Sequence, residues 1–199
     1  MPITPFRIDF TEGAIAARLR RGEGRGGALA RAVGIKPGRV PPVVDATAGL
    51  GRDALLLASL GCEVTLMERA PVVQVALADA IAAARAAGDA TLAAAAARMN
   101  LVRGDATRLL AMLAPHTVLL DPMHPERGNS ALVKLPMREL RALVGDDDDK
   151  PALIAAALAV ATHRVVLKWP ARAALPEGVP APSYSISGRT TRFDVFVMG

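Results

Sequence analysis

"VVDATAGLGRDALLLASLG", residues 43–61, decides the fold. Two valines lead into an acid, Asp45, and a turn holding Gly49 and Gly51 leads into a leucine- and alanine-rich helical run that stops at Gly61. Strand, glycine turn and helix in that order make the repeating unit of a parallel α/β sheet. Glycine at 49 and 51 lets the backbone approach a ligand with no Cβ in the way. A helix beginning at Arg52 or Asp53 turns its first amides toward the same crevice.

The turn reads two ways. Gly49-Leu50-Gly51-Arg52-Asp53-Ala54 is GxGxxA, a variant dinucleotide fingerprint. Asp45-x-Thr47-x-Gly49-x-Gly51 is also the first motif of methyltransferases, with Thr47 where its first glycine usually stands. A tight turn in any α/β protein would show the same two glycines. Glu68 closes the next β-rich run, where a carboxylate accepts both hydroxyls of an adenosine ribose. NAD and S-adenosylmethionine (SAM) share that need, so Glu68 points to an adenosine ligand without choosing between them. Asp105, after the third run, reaches an adenine edge in a SAM site and equally suits the N-cap of the helix that follows.

Working outward, short β-rich runs alternate with helical ones. Residues 40–46, 62–68, 100–105, 117–121 and 164–170 read as strands. Helices are expected over 52–60, from Pro71 through 88, over a following alanine-rich stretch, over 106–113, from Met137, and from Pro151. The tail offers two strands without a helix between them, 183–187 and 192–198, joined around Gly188. The expected fold is a doubly wound, seven-stranded, mostly parallel sheet with a C-terminal antiparallel hairpin. Residues 1–39 form a basic Gly/Arg-rich segment packed on the core, and 40–199 form the main domain. "GDDDDK", 145–150, reads as a native acidic turn whose aspartates suit the next helix N-terminus.

Composition bounds the function. The 199 residues are 52% hydrophobic and 22% charged, a globular balance, and only 3% aromatic. The opening Met1-Pro-Ile-Thr-Pro lacks the charged and apolar regions of a secretion signal, and no apolar run approaches the roughly 18 residues of a membrane span. A single cysteine, Cys62, fits a reducing cytoplasm. With one Cys and three scattered His, no metal site of usual spacing can be assembled. Net charge is +5, which favours a polyanionic partner. Arg18, Arg20, Arg21, Arg25, Arg31, Lys36 and Arg39 face only Glu23 within residues 18–39, so the excess is a patch.

"LLDPMHP", 119–125, chooses between the ligands. It closes the fourth strand, which in a doubly wound sheet lies beside the first at the ligand crevice. It resembles the Asp/Asn-Pro-Pro-aromatic motif of methyltransferases that act on exocyclic amines of bases. Such an amine is a poor nucleophile because its lone pair is delocalised into the ring. Acceptors at Asp121 and the Pro122 carbonyl bind its two N–H groups and turn the lone pair toward a methyl donor. Proline fixes the backbone there and offers no competing amide. Met123 and His124 then pack on the flat base. A turn-forming Asp-Pro after a strand would share the first two residues.

Together "VVDATAGLGRDA", "LASLGCEV", "ERAPVV", "LDPMHP" with "SALVKLPMRELRALVG", and "ATHRVVLKWP" resemble the 16S ribosomal RNA guanine-N2 methyltransferase J family. "IDFTEGAIAARLRRGEGRGGALARAVGIKPG" resembles its segment before the first motif, and "RFDVFVM" its last strand, so the similarity runs from Ile8 to Met198. It implies a SAM-dependent enzyme that methylates the 2-amino group of a guanine in small-subunit rRNA, in the cytoplasm. It places SAM against Arg52, Asp53, Glu68, Arg69, Asp105 and Ala106, with Asp121 at the reacting end; the glycine turn read above adds Asp45, Thr47, Gly49 and Gly51 to the expected cofactor site. Two departures stand out. The family carries an additional N-terminal segment that is missing before residue 1, which implies a smaller substrate platform. The family has Phe where this chain has His124, and histidine stacks less strongly on guanine.

Four further residues are candidates for the substrate: Arg25 toward RNA phosphate or the SAM carboxylate, Lys134 and Arg138 toward RNA, and Lys168 toward a phosphate or the flipped guanine. Trp169 and Cys62 read as core, and His116 and His163 carry no role. Three rivals share parts of this pattern. An amino-methyltransferase acting on adenine N6 would use the same Asp121. A nicotinamide-dependent oxidoreductase would use the glycine turn and Glu68, and an RNA-binding module would use the basic patch alone.

Overall fold

A computed structural model describes residues 6–22, 24–122 and 149–199. Two short helices, α1 (Gly13–Arg20) and α2 (Ala28–Val33), precede the first strand, β1 (Val43–Asp45). Then come α3 (Arg52–Ser59), β2 (Val64–Glu68), α4 (Pro71–Arg85), α5 (Ala90–Ala97) and β3 (Met99–Arg103). A short helix α6 (Ala106–Leu109), tightening into a 3-10 turn at Leu110–Met112, leads to β4 (Thr117–Leu120). The chain resumes with α7 (Lys150–Val160), β5 (Arg164–Pro170), β6 (Tyr184–Ser187) and β7 (Thr191–Val197). The helix expected from Met137 lies outside the described residues.

The seven strands make one sheet in the order β3-β2-β1-β4-β5-β7-β6. β1 to β5 run parallel, and β7 enters antiparallel between β5 and β6. The chain winds outward from β1 to β3 and then returns, so β4 lies against β1 with Asp45 opposite Leu119. That reversal opens a crevice beyond the carboxyl ends of β1 and β4.

Alternation along the central strands feeds two cores. Val43, Leu66, Leu119 and Val166 face α2, α3, α4 and α5, while Val44, Met67, Val118, Leu120 and Leu167 face α6 and α7. Both faces being covered, β4 is buried at every position, the continuous apolar pattern of a parallel interior strand. Trp169 and Cys62 are core residues, with the Trp169 indole N–H donating to the Ala174 carbonyl at 3.0 Å.

Local chemistry sets the element ends. β1 begins at Val43, later than the expected residue 40, because Pro41 and Pro42 have no amide to give a neighbouring strand. Gly61, at φ +103°, ends α3 where its position predicts. Asp89 caps α5 by accepting from the Thr91 and Leu92 amides. The segment before β1 is fastened by Arg164, which is buried at the start of β5 and donates from Nη1 to the Ala32 carbonyl near the end of α2, at 3.0 Å. Gly34 makes room for it, since a Cβ there would stand 2.8 Å from the Arg164 Cζ.

Candidate functional site

The crevice at the β1/β4 reversal has two compartments that share Thr47, Gly49 and Asp121 as a common wall. One lies over the tip of β2, with an empty volume of about 550 Å³ counted to its open mouth. Met67, Ala106 and Leu153 give it apolar walls, and Glu68, Asp105 and Asp149 rim it with carboxylates. The other, about 720 Å³ by the same measure, lies over β1 and the start of α3 and is walled by Asp45, Arg52, Asp53 and Lys168.

Each polar group is placed by the element it ends. Gly51, the residue before α3, takes φ +65°, and a Cβ there would meet Leu77 Cδ2 at 2.8 Å and Phe10 Cζ at 2.9 Å. Glycine is therefore required both by conformation and by packing. Glu68 is nearly buried at the tip of β2, where it accepts from the Gly49 amide at 3.1 Å and the Ala70 amide at 2.7 Å. Burial raises its pKa against the opposing pull of those amides. Asp105 caps α6, accepting from the amide of Thr107 at 2.9 Å and its hydroxyl at 2.7 Å. The hydroxyl bond above all holds its carboxyl below the usual range. Capping and rimming the first compartment are both its work.

Asp45 is 3% exposed, and its pKa is raised to about 7, by burial first and then by the neighbouring Asp53 charge. The Thr47 amide donates to it at 3.2 Å. Asp121 extends from the end of β4, and its own amide donates to Thr47 Oγ1 at 2.6 Å. Lys168 stands between two elements: Nζ is 2.7 Å from Asp121 Oδ2 and 2.8 Å from Asp53 Oδ2. Burial opposes its charge, but Asp121 and then Asp53 outweigh it, and its pKa rises.

The structure thus brings Asp45, Thr47, Gly49, Gly51, Arg52, Asp53, Glu68, Arg69, Asp105, Ala106, Asp121 and Lys168 to one crevice, with Pro122 next along the chain. Arg25 is not among them. It is exposed on the turn between α1 and α2 and lines neither compartment. Met123, His124, Lys134 and Arg138 lie outside the described residues. Lys168, expected to reach a phosphate or a base, lies in the crevice with its ammonium between two carboxylates. Sequence reading missed Asp149 and Leu153 as wall residues; the only signal was the acidic turn before Pro151, where Asp149 pairs with Arg69 at 2.7 Å. His116 and His163 lie side by side with ring centroids 4.7 Å apart and planes tilted by 40°, at the amino ends of β4 and β5 and away from the crevice. Among the described residues no three His, Cys, Asp or Glu stand together to hold a metal ion, and no helix is long and apolar enough to cross a membrane.

The residues fit an adenosine-bearing ligand. An apolar slot with carboxylates on its rim suits a purine and its ribose. The second compartment sets Asp53, Asp121 and the buried Asp45 against the Lys168 ammonium and the Arg52 guanidinium, so it offers a ligand charges of both signs. The chemistry of the relatives agrees. A family model for putative SAM-dependent methyltransferases matches residues 2–198. Ribosomal RNA small subunit methyltransferase J of Agrobacterium fabrum is 56% identical over 193 residues, spanning 97% of this chain and 92% of the relative. The enzyme of the same name from Pseudomonas aeruginosa is 52% identical over 195 residues, spanning 96% of this chain and 74% of the relative. A crystal structure of a SAM-dependent methyltransferase from Neisseria gonorrhoeae superposes with a TM-score of 0.73 at 38% identity, covering 96% of this chain and 74% of that one. The glycine turn, ambiguous between NAD and SAM in sequence, is therefore a SAM turn, and the nicotinamide reading falls. The chain belongs to the small-subunit ribosomal RNA methyltransferase J family of SAM-dependent methyltransferases.

Proposed function

We propose that this protein methylates the exocyclic N2 amine of a guanine in 16S ribosomal RNA. The observation that carries this reading is Asp121, which stands in the wall common to both compartments at the carboxyl end of β4. A carboxylate there meets the methyl donor on one side and an incoming base on the other.

When bound, SAM supplies an electrophilic methyl group on a sulfonium. Glu68 accepts from the ribose hydroxyls, and Asp105 with Ala106 borders the adenine. Asp45, Thr47, Gly49, Gly51, Arg52, Asp53 and Arg69 complete the donor's surroundings. Asp121 and the Pro122 carbonyl accept the two N–H groups of the target amine and turn its lone pair toward the methyl. Met123 and His124 pack on the base, which has been taken out of its stack. Holding the two reactants in line is the main source of rate. Transfer would break the donor's S–C bond as the C–N bond forms, leave a neutral thioether, and release the amine proton to solvent.

Arg25, Lys134 and Arg138 serve the RNA backbone, and the basic residues of 18–39 add the electrostatic attraction of a phosphate-rich partner. On this reading residues 1–39 are a basic segment attached to a catalytic domain over 40–199, working in the cytoplasm on rRNA or the small subunit.

Nucleoside mass spectrometry of 16S rRNA from cells with and without the gene tests the reading. Loss of N2-methylguanosine on deletion, restored by the wild-type gene and not by an Asp121→Ala copy, is expected. A change confined to N6-methyladenosine would favour adenine as the target instead.

A further inference from the structure

Inside the second compartment Lys168 touches carboxylates from two different elements. Its Nζ reaches Asp121 Oδ2 at 2.7 Å, at the tip of β4, and Asp53 Oδ2 at 2.8 Å, in the first turn of α3. The three residues come from β5, β4 and α3, which no local feature of the chain holds together. Asp53 lies in the turn that borders the methyl donor, and Asp121 holds the amine in the function proposed above, on which this inference rests.

We propose that Lys168 is a positioning residue: its ammonium staples the Asp121 carboxylate to Asp53, fixing the amine holder relative to the methyl-donor shelf. Two features favour this over contact with RNA phosphate. Both carboxylates are at hydrogen-bond distance, so a phosphate would have to compete with two anions already paired to the same ammonium. The Asp121 backbone is pinned as well, by its amide bond to Thr47 Oγ1 at 2.6 Å. With the main chain tied to β1's turn and the side chain tied to α3, the carboxylate plane has little freedom left. Such restraint matters because a misplacement of about 1 Å between reacting groups costs on the order of 100-fold in rate. Lys168 does not take the amine proton, since the same two carboxylates hold it in its charged form.

The test uses the full chain with Lys168→Met, Lys168→Arg and Asp53→Asn, assayed on 16S rRNA at saturating SAM, with kcat and RNA KM separated across pH. Lys168→Met is expected to lower kcat about 10- to 100-fold with RNA KM within about twofold. Its acid limb should move to higher pH, because a cation has been removed from beside the Asp121 carboxylate. Lys168→Arg should recover part of kcat, and Asp53→Asn should lose less than Lys168→Met. A raised RNA KM at unchanged kcat would overturn the proposal and make Lys168 an RNA contact. An unmoved acid limb, with Lys168→Arg no better than Lys168→Met, would also overturn it. The wild-type arm is read separately: methylation of a base amine other than guanine N2 would overturn the substrate, while the variants still decide Lys168.

Discussion

The Gly49 amide donates to Oε2 of Glu68 at 3.1 Å, joining the turn after β1 to the tip of β2. The second oxygen accepts from the Ala70 amide at 2.7 Å. One carboxylate thus braces the glycine turn while standing in the wall of the first compartment.

Glu68→Gln should therefore weaken the site twice over. The amide nitrogen it introduces must face either the Gly49 or the Ala70 N–H, donor against donor, at a cost of about 1–3 kcal/mol. SAM affinity measured by calorimetry should fall by about tenfold or more, together with a lower melting temperature. Unchanged affinity in a folded variant would remove Glu68 from the donor site.

Asp121→Ala separates binding from transfer. Methyl transfer to rRNA should drop about 100- to 1,000-fold, as when an electrostatic partner of a transition state is removed. SAM affinity should stay within about threefold, since Glu68, Asp105 and the other walls of the compartment over β2 are untouched. Parallel loss of both would mean that Asp121 holds the donor and not the amine.

Asp45 should make stability depend on pH. Its folded pKa of about 7 stands above the ordinary 3.8, so the folded state binds its proton more tightly than the unfolded chain does. The resulting stabilisation is complete below about pH 4 and is lost as pH rises through about 7. A shift of about three units corresponds to at most about 4 kcal/mol. Urea unfolding of wild type from pH 5 to 8 should show declining stability across that window. Asp45→Asn, which keeps an acceptor for the Thr47 amide, should flatten this decline.

Gly51→Ala combines a left-handed backbone with a collision. At φ +65°, with Leu77 and Phe10 within 2.9 Å of the added Cβ, the variant should lose about 1–3 kcal/mol. For a chain of this size that is a fall of about 2–4 °C in melting temperature per kcal/mol. SAM binding should weaken as the turn shifts. A variant as stable as wild type would show that Leu77 and Phe10 give way freely.

Much of the fold was legible because its signals are short in range. Strand-turn-helix alternation, Gly61 ending a helix and Asp105 starting one each depend on a few neighbouring residues. Asp45, Glu68 and Asp121 were legible as crevice residues for the same reason: each ends a β-rich run, and the doubly wound order places those ends together. Where a short-range signal was overruled, as at residues 40–42, two prolines removed the amides that strand pairing needs.

By itself the sequence determined the parallel sheet, its antiparallel finish, the glycine turn after the first strand and the acid at the end of the fourth. Only the tertiary structure decided what those residues do to one another. Lys168 is 115 positions from Asp53 and 47 from Asp121, and Asp149 is 80 from Arg69. No spacing rule connects them. Their contacts arise because strand order sets β5 beside β4 and β4 beside β1, and an ion pair depends on distance in space, which the order of strands controls and the order of residues does not.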